Sequence, residues 1–405
     1  MNSNKSIQAL LRFSCFLFSF TLMFNTSDAQ FLLNSDSAFK AGAPNSGRLW
    51  GYAFGDYYYK AHTDTSNRGG SNQYTGIPKN RSEFQFRRIY LGYDYNISQK
   101  FAVELLLAAE DNVIQGNSAP SGDLLSDGKL TFYIKLANIR WKNIWKGTDL
   151  VVGQMATPAF PLLSEKIWGY RSVERTISDI RRTPSFDLGA SLQGVFDAKG
   201  NYGYNIMVGN GTGAKPEGDN FKWFYADVFA KFLDKRLIFD LYADYERLTW
   251  VNGFHHARNM VKGYVAYTTP AFTAGVEAFI NQGKNDVVGV NGAVKDTLNA
   301  RAAGISAYVH GNIVKDKLGY FARFDSYNPD TKYDNAMYTK YTGFTSNYEP
   351  NNKEQFITAG LDFTPIKNVH FMPNVWYNKY MSNTAVSNSS YDLVYRMSFY
   401  FVFGK

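Results

Sequence analysis

The stretch YDLVYRMSFYFVF, residues 391–403, decides the fold of this chain. Its odd-numbered positions, from Tyr391 to Phe403, all carry apolar or aromatic side chains, whereas Asp392, Arg396 and Ser398 occupy even-numbered positions. Successive side chains of a β-strand point to opposite faces, so this alternation places one face in an apolar medium and the other in water. The segment therefore predicts a strand at the boundary between lipid and an aqueous interior.

The same alternation recurs along the chain at 236–246, 271–281 and 318–325, where aliphatic and aromatic residues oppose charged ones. Together with less regular segments it predicts sixteen strands, although a miscount of two strands in either direction stays open. The predicted strands are 48–61, 81–96, 99–111, 129–142, 148–155, 186–198, 201–210, 220–233, 236–249, 257–269, 271–282, 300–314, 317–328, 353–364, 367–380 and 390–403.

The connections between these strands alternate between tight turns and long loops rich in Asn, Gly, Ser and Asp. An even number of strands with this alternation of connections is typical of a transmembrane antiparallel β-barrel of the bacterial outer membrane. Closure of the barrel also removes the unpaired edges that an open sheet of this size would expose. We therefore predict an all-β barrel of about 16 strands, with an inward-folded third extracellular loop.

The composition agrees with this fold class. Aromatic residues make up 17% of the chain while the mean hydropathy is only −0.32, as expected where lipid-facing and water-facing side chains alternate. A large soluble β-sandwich or propeller is the alternative, but either would need a polar outer face. The net charge of +8 is spread along the chain, which favours anions weakly and gives no indication of nucleic-acid binding.

The N-terminus has the layout of a secretory signal peptide. Lys5 and Arg12 precede the apolar run 13–24, and small residues before the end of the segment predict cleavage after Ala29. Cys15 does not fit a lipoprotein signal, because the apolar run continues beyond it. The predicted division is a signal peptide at 1–29, a periplasmic N-terminal lead at 30–47 and the barrel at 48–405. The mature chain then has no cysteine and enters an oxidising compartment without disulfides.

The third long connector, 156–185, differs from the others because it is both apolar and charged. Ser164 ahead of Ile167 and Trp168 predicts a helix N-cap, and the spacing of Ile177 and Ile180 favours a second helical turn. A sixteen-strand lumen is wide enough to admit a loop pinned by such apolar residues. The alternative is an exterior loop whose arginines pair with its own acids.

If this connector folds inward, its charges would set ion preference in the narrowest part of the pore. The predicted constriction residues are Glu165, Lys166, Arg171, Glu174, Arg175, Asp179, Arg181 and Arg182. The predicted lining of the rest of the pore, taken from the polar faces of the strands, is Arg87, Glu104, Asp240, Asp244, Lys262, Glu277, Arg323, Asp325 and Arg396.

Several motifs resemble one known family. The segment FRRIYLG at 86–92 and the segment GQMATP at 153–158 resemble motifs of the phosphate-selective porin family and its Bacteroidetes relatives. The pair Glu174-Arg175 and the segment FDLGA at 186–190 fall where similar porins have related residues. The resemblance implies a sixteen-strand porin, often trimeric, whose third loop folds inward. Phosphate selectivity is not implied, because acids and bases are interleaved on the predicted lining.

These observations predict an outer-membrane porin for passive diffusion of small hydrophilic solutes, with mild anion preference. The expected partners are outer-membrane lipids, small solutes or anions, the barrel assembly machinery through the last strand, and two further copies in a homotrimer. A surface receptor or adhesin that uses loops 62–80, 283–299 and 329–352 is the alternative. No enzyme, cofactor or metal is expected. The chain has five histidines, but its sequence shows no nucleophile elbow, no phosphate loop and no metal-ligand spacing.

Overall fold

The computed structural model of the chain describes residues 43–69, 72–110, 131–181, 183–249, 253–292, 294–344, 352–383 and 389–404. The predicted signal peptide at 1–29, most of the predicted lead at 30–47, and Arg182 lie outside the described residues. Within the described ranges, no helix is long and apolar enough to cross a membrane.

Sixteen long antiparallel strands and one two-residue strand form a single sheet in the described part of the chain. The first long strand pairs with the second and also with the last, so the sheet closes into a barrel. The strands are β1 Ser46–His62, β2 Ser82–Asn96, β3 Phe101–Glu110, β4 Tyr133–Trp145, β5 Thr148–Ala156, β6 Phe186–Val195, β7 Tyr202–Gly209, β8 Trp223–Phe232, β9 Leu237–Arg247, β10 Ala257–Thr268, β11 Phe272–Asn291, β12 Val294–Val314, β13 Leu318–Asn328, β14 Gly343–Phe344, β15 Lys353–Ile366, β16 Val369–Met381 and β17 Ser390–Phe403. The predicted sixteen-strand barrel is confirmed.

The two faces of the barrel differ as the alternation predicts. On β17, Tyr395 and Met397 are 50% and 43% exposed, whereas their neighbours Arg396 and Ser398 are 4% and 0% exposed. Apolar side chains therefore cover the outside of the barrel, where lipid would contact them, and polar side chains are buried on the inside.

Some predicted boundaries were wrong. β1 begins at Ser46 rather than at 48, and β4 runs to Trp145 rather than ending at 142. The extension leaves a two-residue turn between β4 and β5, in which Gly147 has a φ of 81°. Glycine adopts this left-handed conformation without steric cost, which allows so short a turn.

The segment 283–299 was predicted as a loop, and this was also wrong. β11 and β12 continue through it as a hairpin that extends beyond β10 and β13. Val287 and Leu298 are buried in this hairpin against Tyr338, the last residue of a short helix at Asn335–Tyr338. The two-residue strand β14 pairs with Gly289 and Val290 in the extended part of β11. Burial by residues distant in sequence outweighs the loop-like composition of 283–299.

Candidate functional site

The segment 157–185, between β5 and β6, contacts the inner face of the barrel wall. The ring Nε2 of His310 lies 3.0 Å from the carbonyl oxygen of Ile167, and Arg396 donates a hydrogen bond of 3.1 Å to the carbonyl of Val173. Arg323 donates to the carbonyl of Arg175 at 2.5 Å. His310, Arg323 and Arg396 lie on the buried polar faces of β12, β13 and β17. The segment therefore lies against the interior of the wall formed by these strands.

Apolar side chains fasten this segment at two places. Phe160 is fully buried in a cluster with Tyr225 and Tyr242 from β8 and β9. Trp168 is buried beside Tyr308, with ring centroids 4.9 Å apart. Large buried aromatic residues of this kind contribute strongly to packing, so both contacts restrain the segment.

Two short helices lie in the segment: α1 at Ser164–Trp168 and α2 at Ile177–Arg181. The predicted N-cap at Ser164 was wrong, because Ser164 is the first residue of α1 and its side chain does not cap the helix. Its hydroxyl oxygen instead accepts a hydrogen bond of 3.4 Å from the ammonium of Lys262 on β10. Lys262 is fully buried and also lies 3.3 Å from Asp240 and 3.9 Å from Glu277. Lys262, predicted to line the pore, thus fastens α1 to the wall.

Four of the predicted constriction residues form one charged group. The guanidinium of Arg171 contacts Glu165 and lies 2.7 Å from Asp179. Arg175 makes a longer ion pair of 3.8 Å with the same Asp179. The side chains of these four residues keep 10–17% of their surface exposed. The segment's own acids therefore compensate Arg171 more closely than Arg175.

The two acids of this group respond differently to their surroundings. Burial raises the pKa of Glu165, and the nearby guanidinium of Arg171 offsets this only in part. Burial also acts to raise the pKa of Asp179, but the guanidinium groups of Arg171 and Arg175 outweigh it and hold that pKa below its usual range. Glu165 is therefore the first of the two to accept a proton as the pH falls.

The other predicted constriction residues lie elsewhere in the segment. Arg181 forms an ion pair of 2.5 Å with Glu354 on β15. Glu174 is buried and accepts hydrogen bonds from Trp376 at 2.7 Å and from Gln73 at 2.6 Å. Lys166 is partly exposed on α1. Each of these side chains is thus in a different place from the group at Arg171.

The sequence reasoning missed a second charged group on the wall. A β-bulge in β2 opposite Phe54 and Gly55 leaves Arg87 and Arg88 both buried inside the barrel. Arg88 forms an ion pair of 2.8 Å with Glu110, which also lies 2.5 Å from Lys135. Two consecutive arginines on a membrane strand were a usable signal, because strict alternation would place one of them in lipid. That costs about 2–4 kcal/mol near the bilayer midplane.

The remaining predicted lining residues lie on the inner face and have polar partners. Arg323 donates to Asp325 at 2.8 and 2.5 Å. Asp244 accepts from the hydroxyl of Tyr242 at 2.8 Å, and Glu104 accepts from Asn138 at 3.0 Å. The interior therefore contains a hydrogen-bonded network of acidic and basic side chains.

Loop 63–81, between β1 and β2, also reaches the interior. Tyr74 is fully buried, its ring centroid lies 5.3 Å from that of Trp376, and its hydroxyl donates to Asp56 at 2.8 Å. The ammonium of Lys60 donates to the carbonyl of Tyr74 at 2.7 Å. The sequence reasoning considered 62–80 only as a surface loop, and Tyr74 is not available on that surface.

Within the described ranges, no group of three or more His, Cys, Asp or Glu side chains is arranged to hold a metal ion. No family model matches the chain, and no curated protein matches it either.

Solved structures of bacterial outer-membrane channels do match it. The anion-selective porin from Comamonas acidovorans matches with a TM-score of 0.56 and 11% identity over 89% of this chain and 100% of that chain. The outer membrane channel DcaP of Acinetobacter baumannii matches with a TM-score of 0.61 and 13% identity over 90% and 99%. OmpT of Vibrio cholerae, in a trimer form, matches with a TM-score of 0.52 and 11% identity over 89% and 100%. The chain thus shares the fold of these proteins.

Proposed function

We propose that this protein is a porin of the bacterial outer membrane that allows passive diffusion of small hydrophilic solutes. The observation that carries the proposal is the combination of a closed sixteen-strand barrel, an apolar exterior and a charged interior that contacts segment 157–185. An apolar exterior suits a bilayer, and a charged interior is typical of a barrel that encloses an aqueous passage.

We infer that segment 157–185 forms the constriction and that the partly exposed group Glu165, Arg171, Arg175 and Asp179 faces the passage. Lys166, Glu174, Arg181 and Arg182 complete the charged set of this segment. The exposed fractions support this role, since Arg171 and Arg175 keep contact with solvent while Glu174 is almost entirely buried.

We further propose a mild anion preference rather than selectivity for phosphate. Arginines outnumber acids in segment 157–185, and its ion pairs leave only a small excess of positive charge in that segment. A kinship with the phosphate-selective porins of Bacteroidetes stays part of the proposal, on the motifs at 86–92 and 153–158. A homotrimer is proposed by analogy with the trimer form of OmpT of Vibrio cholerae.

The test is the conductance of the purified protein in a planar lipid bilayer, with the reversal potential measured in a salt gradient. We expect stepwise insertion events and a modest preference for chloride over potassium. A folded, heat-modifiable protein that produces no conductance would contradict the proposed function.

A second function, as a surface receptor, is favoured by the β11–β12 hairpin. This hairpin extends beyond β10 and β13, and the helix at Asn335–Tyr338 and β14 pack against it. Replacing residues 285–299 by a short turn should abolish binding of the partner while leaving conductance unchanged. Binding that survives this deletion would exclude the hairpin as the receptor site.

A further inference from the structure

The strand β4 contains a β-bulge at Lys135. In the pairing with β3, Leu106 lies opposite Leu136 and Leu107 lies opposite Ile134, so Lys135 is the extra residue. On the other side, the ladder between β4 and β5 reaches only Ala137, which pairs with Gln154. The carbonyl groups of Ile134 and Lys135 therefore lie beyond the end of that ladder.

The side chain of Gln154 supplies partners for these carbonyl groups. Its amide nitrogen donates to the carbonyl of Ile134 at 2.7 Å and to that of Lys135 at 2.9 Å. In a regular strand, successive carbonyls point to opposite neighbours, so one amide reaches both only because the bulge turns them to the same side.

Gln154 acts from the outer face of the barrel. Val152 is exposed on that face, and Met155 is buried inside. Because side chains alternate along β5, Gln154 points outward like Val152. Leu188, its partner on β6, is also exposed and apolar. In hydrocarbon a carbonyl group has no water to accept a hydrogen bond from. The amide of Gln154 supplies that hydrogen bond on the lipid-facing side.

Gly153 completes the arrangement. Its φ of 121° is disfavoured for other residues, and a Cβ at this position would clash with the carbonyl oxygen of Ala137. Gly153 and Gln154 are the first two residues of the motif GQMATP. Gly153 leaves room for the carbonyl of Ala137, and Gln154 donates to the two carbonyls at the bulge.

The bulge decides which way Lys135 points. Asn138 faces inward, so regular alternation would place Leu136 inward and Lys135 outward into lipid. Because of the bulge, Lys135 is buried inside, 2.5 Å from Glu110 and with its ammonium 5.0 Å from the ring centroid of Phe186.

We propose that Gly153 and Gln154 form a clamp that holds the β4 bulge from the lipid-facing side and thereby places the Lys135 ammonium in the barrel interior beside Glu110. Gln154 is then a positioning residue for a charge of the pore. The clamp itself is independent of the proposed function, and only its effect on ion selectivity rests on that function.

The first test needs no channel activity. Gln154→Leu keeps the outer face apolar and removes both donors, and Gln355→Leu makes the same change at an outward position of β15. Hydrogen exchange of the vesicle-embedded protein, read by mass spectrometry, should be at least about tenfold faster across 133–137 in Gln154→Leu and unchanged there in Gln355→Leu. Unchanged exchange in Gln154→Leu would overturn the clamp.

The second test is a double-mutant cycle on the reversal potential. Lys135→Met and Gln154→Leu should both shift the reversal potential toward cations, and the double variant should shift it no further than Lys135→Met alone. Additive shifts, or no shift in Gln154→Leu, would refute positioning of Lys135.

If Gln154→Leu does not fold, Gln154→Asn replaces it in both tests, because its shorter amide cannot reach both carbonyls. A wild-type protein without conductance would reject the pore, while the exchange result would still decide the clamp.

Discussion

Arg171 and Arg175 carry equal charge, but removing each should change ion selectivity by different amounts. In Arg175→Gln the proposed constriction loses one positive charge, because the partner Asp179 keeps its second guanidinium contact with Arg171 at 2.7 Å and stays ionised. In Arg171→Gln the loss is compensated in part, since burial already raises the pKa of Glu165 and removal of its guanidinium partner raises that pKa further. We therefore expect Arg175→Gln to lower the permeability ratio of chloride to potassium more than Arg171→Gln does.

The size of the effect follows from Coulomb's law. A unit charge about 5 Å from a hydrated ion contributes about 0.8 kcal/mol in water, and salt at 0.1 M screens this to about 0.5 kcal/mol. Either energy changes the partition of an ion by a factor of about two to four, in opposite directions for anions and cations. The permeability ratio of chloride to potassium should therefore fall about fivefold to fifteenfold in Arg175→Gln, which turns a mild anion preference into a cation preference.

The assay is the reversal potential in a tenfold gradient of potassium chloride at pH 7. Lys222→Gln is the matched control, because it removes one positive charge from a loop residue that is paired with Glu217 and 38% exposed. A wild-type ratio in Arg175→Gln, or an equal shift in Lys222→Gln, would refute the reasoning that Arg175 faces the passage. The reasoning on Glu165 would be refuted by equal shifts in the Arg171 and Arg175 variants.

Three further outcomes are expected. Tyr74→Ala should raise single-channel conductance, because it removes a buried ring from the interior; an unchanged conductance would place loop 63–81 away from the passage. Lowering the pH from 7 should strengthen anion preference, because burial raises the pKa of Glu165 and its negative charge is lost at a pH above the ordinary glutamate value of about 4.3. Glu165→Gln should abolish that pH dependence, and a pH response that persists would assign it to another group. N-terminal sequencing of the exported protein should begin at Gln30, and an intact Met1 would reject the predicted signal peptide.

Most of the barrel was predictable because alternation is a local property of the chain. β17 could be recognised from thirteen residues alone. Lipid on one face requires apolar side chains and water on the other face requires polar ones, so the two kinds alternate along the strand. The extension of β11 and β12 could not, because its strand character depends on the burial of Val287 and Leu298 by Tyr338. The strand segments that were found depend on local alternation, whereas the extension that was missed depends on contacts between residues far apart in the sequence.

The charged interior was predictable only in part. The polar positions of regularly alternating strands identified residues such as Arg323 and Arg396, which are buried on the inner face. Arg88 and Lys135 were missed because bulges in β2 and β4 shift the alternation by one residue. A bulge depends on the register with the neighbouring strand, which a single strand does not encode.

The sequence by itself determined that this protein is a barrel of about sixteen strands with an apolar exterior and a charged interior. The physical reason is that each strand must satisfy lipid and water on opposite faces over about ten residues. Only the tertiary structure decided how the interior is arranged: which charges pair, that Tyr74 and Trp168 pack inside, and that Lys262 holds Ser164. These contacts join residues from distant strands, and they form only once closure of the sheet brings the opposite walls and the loops together.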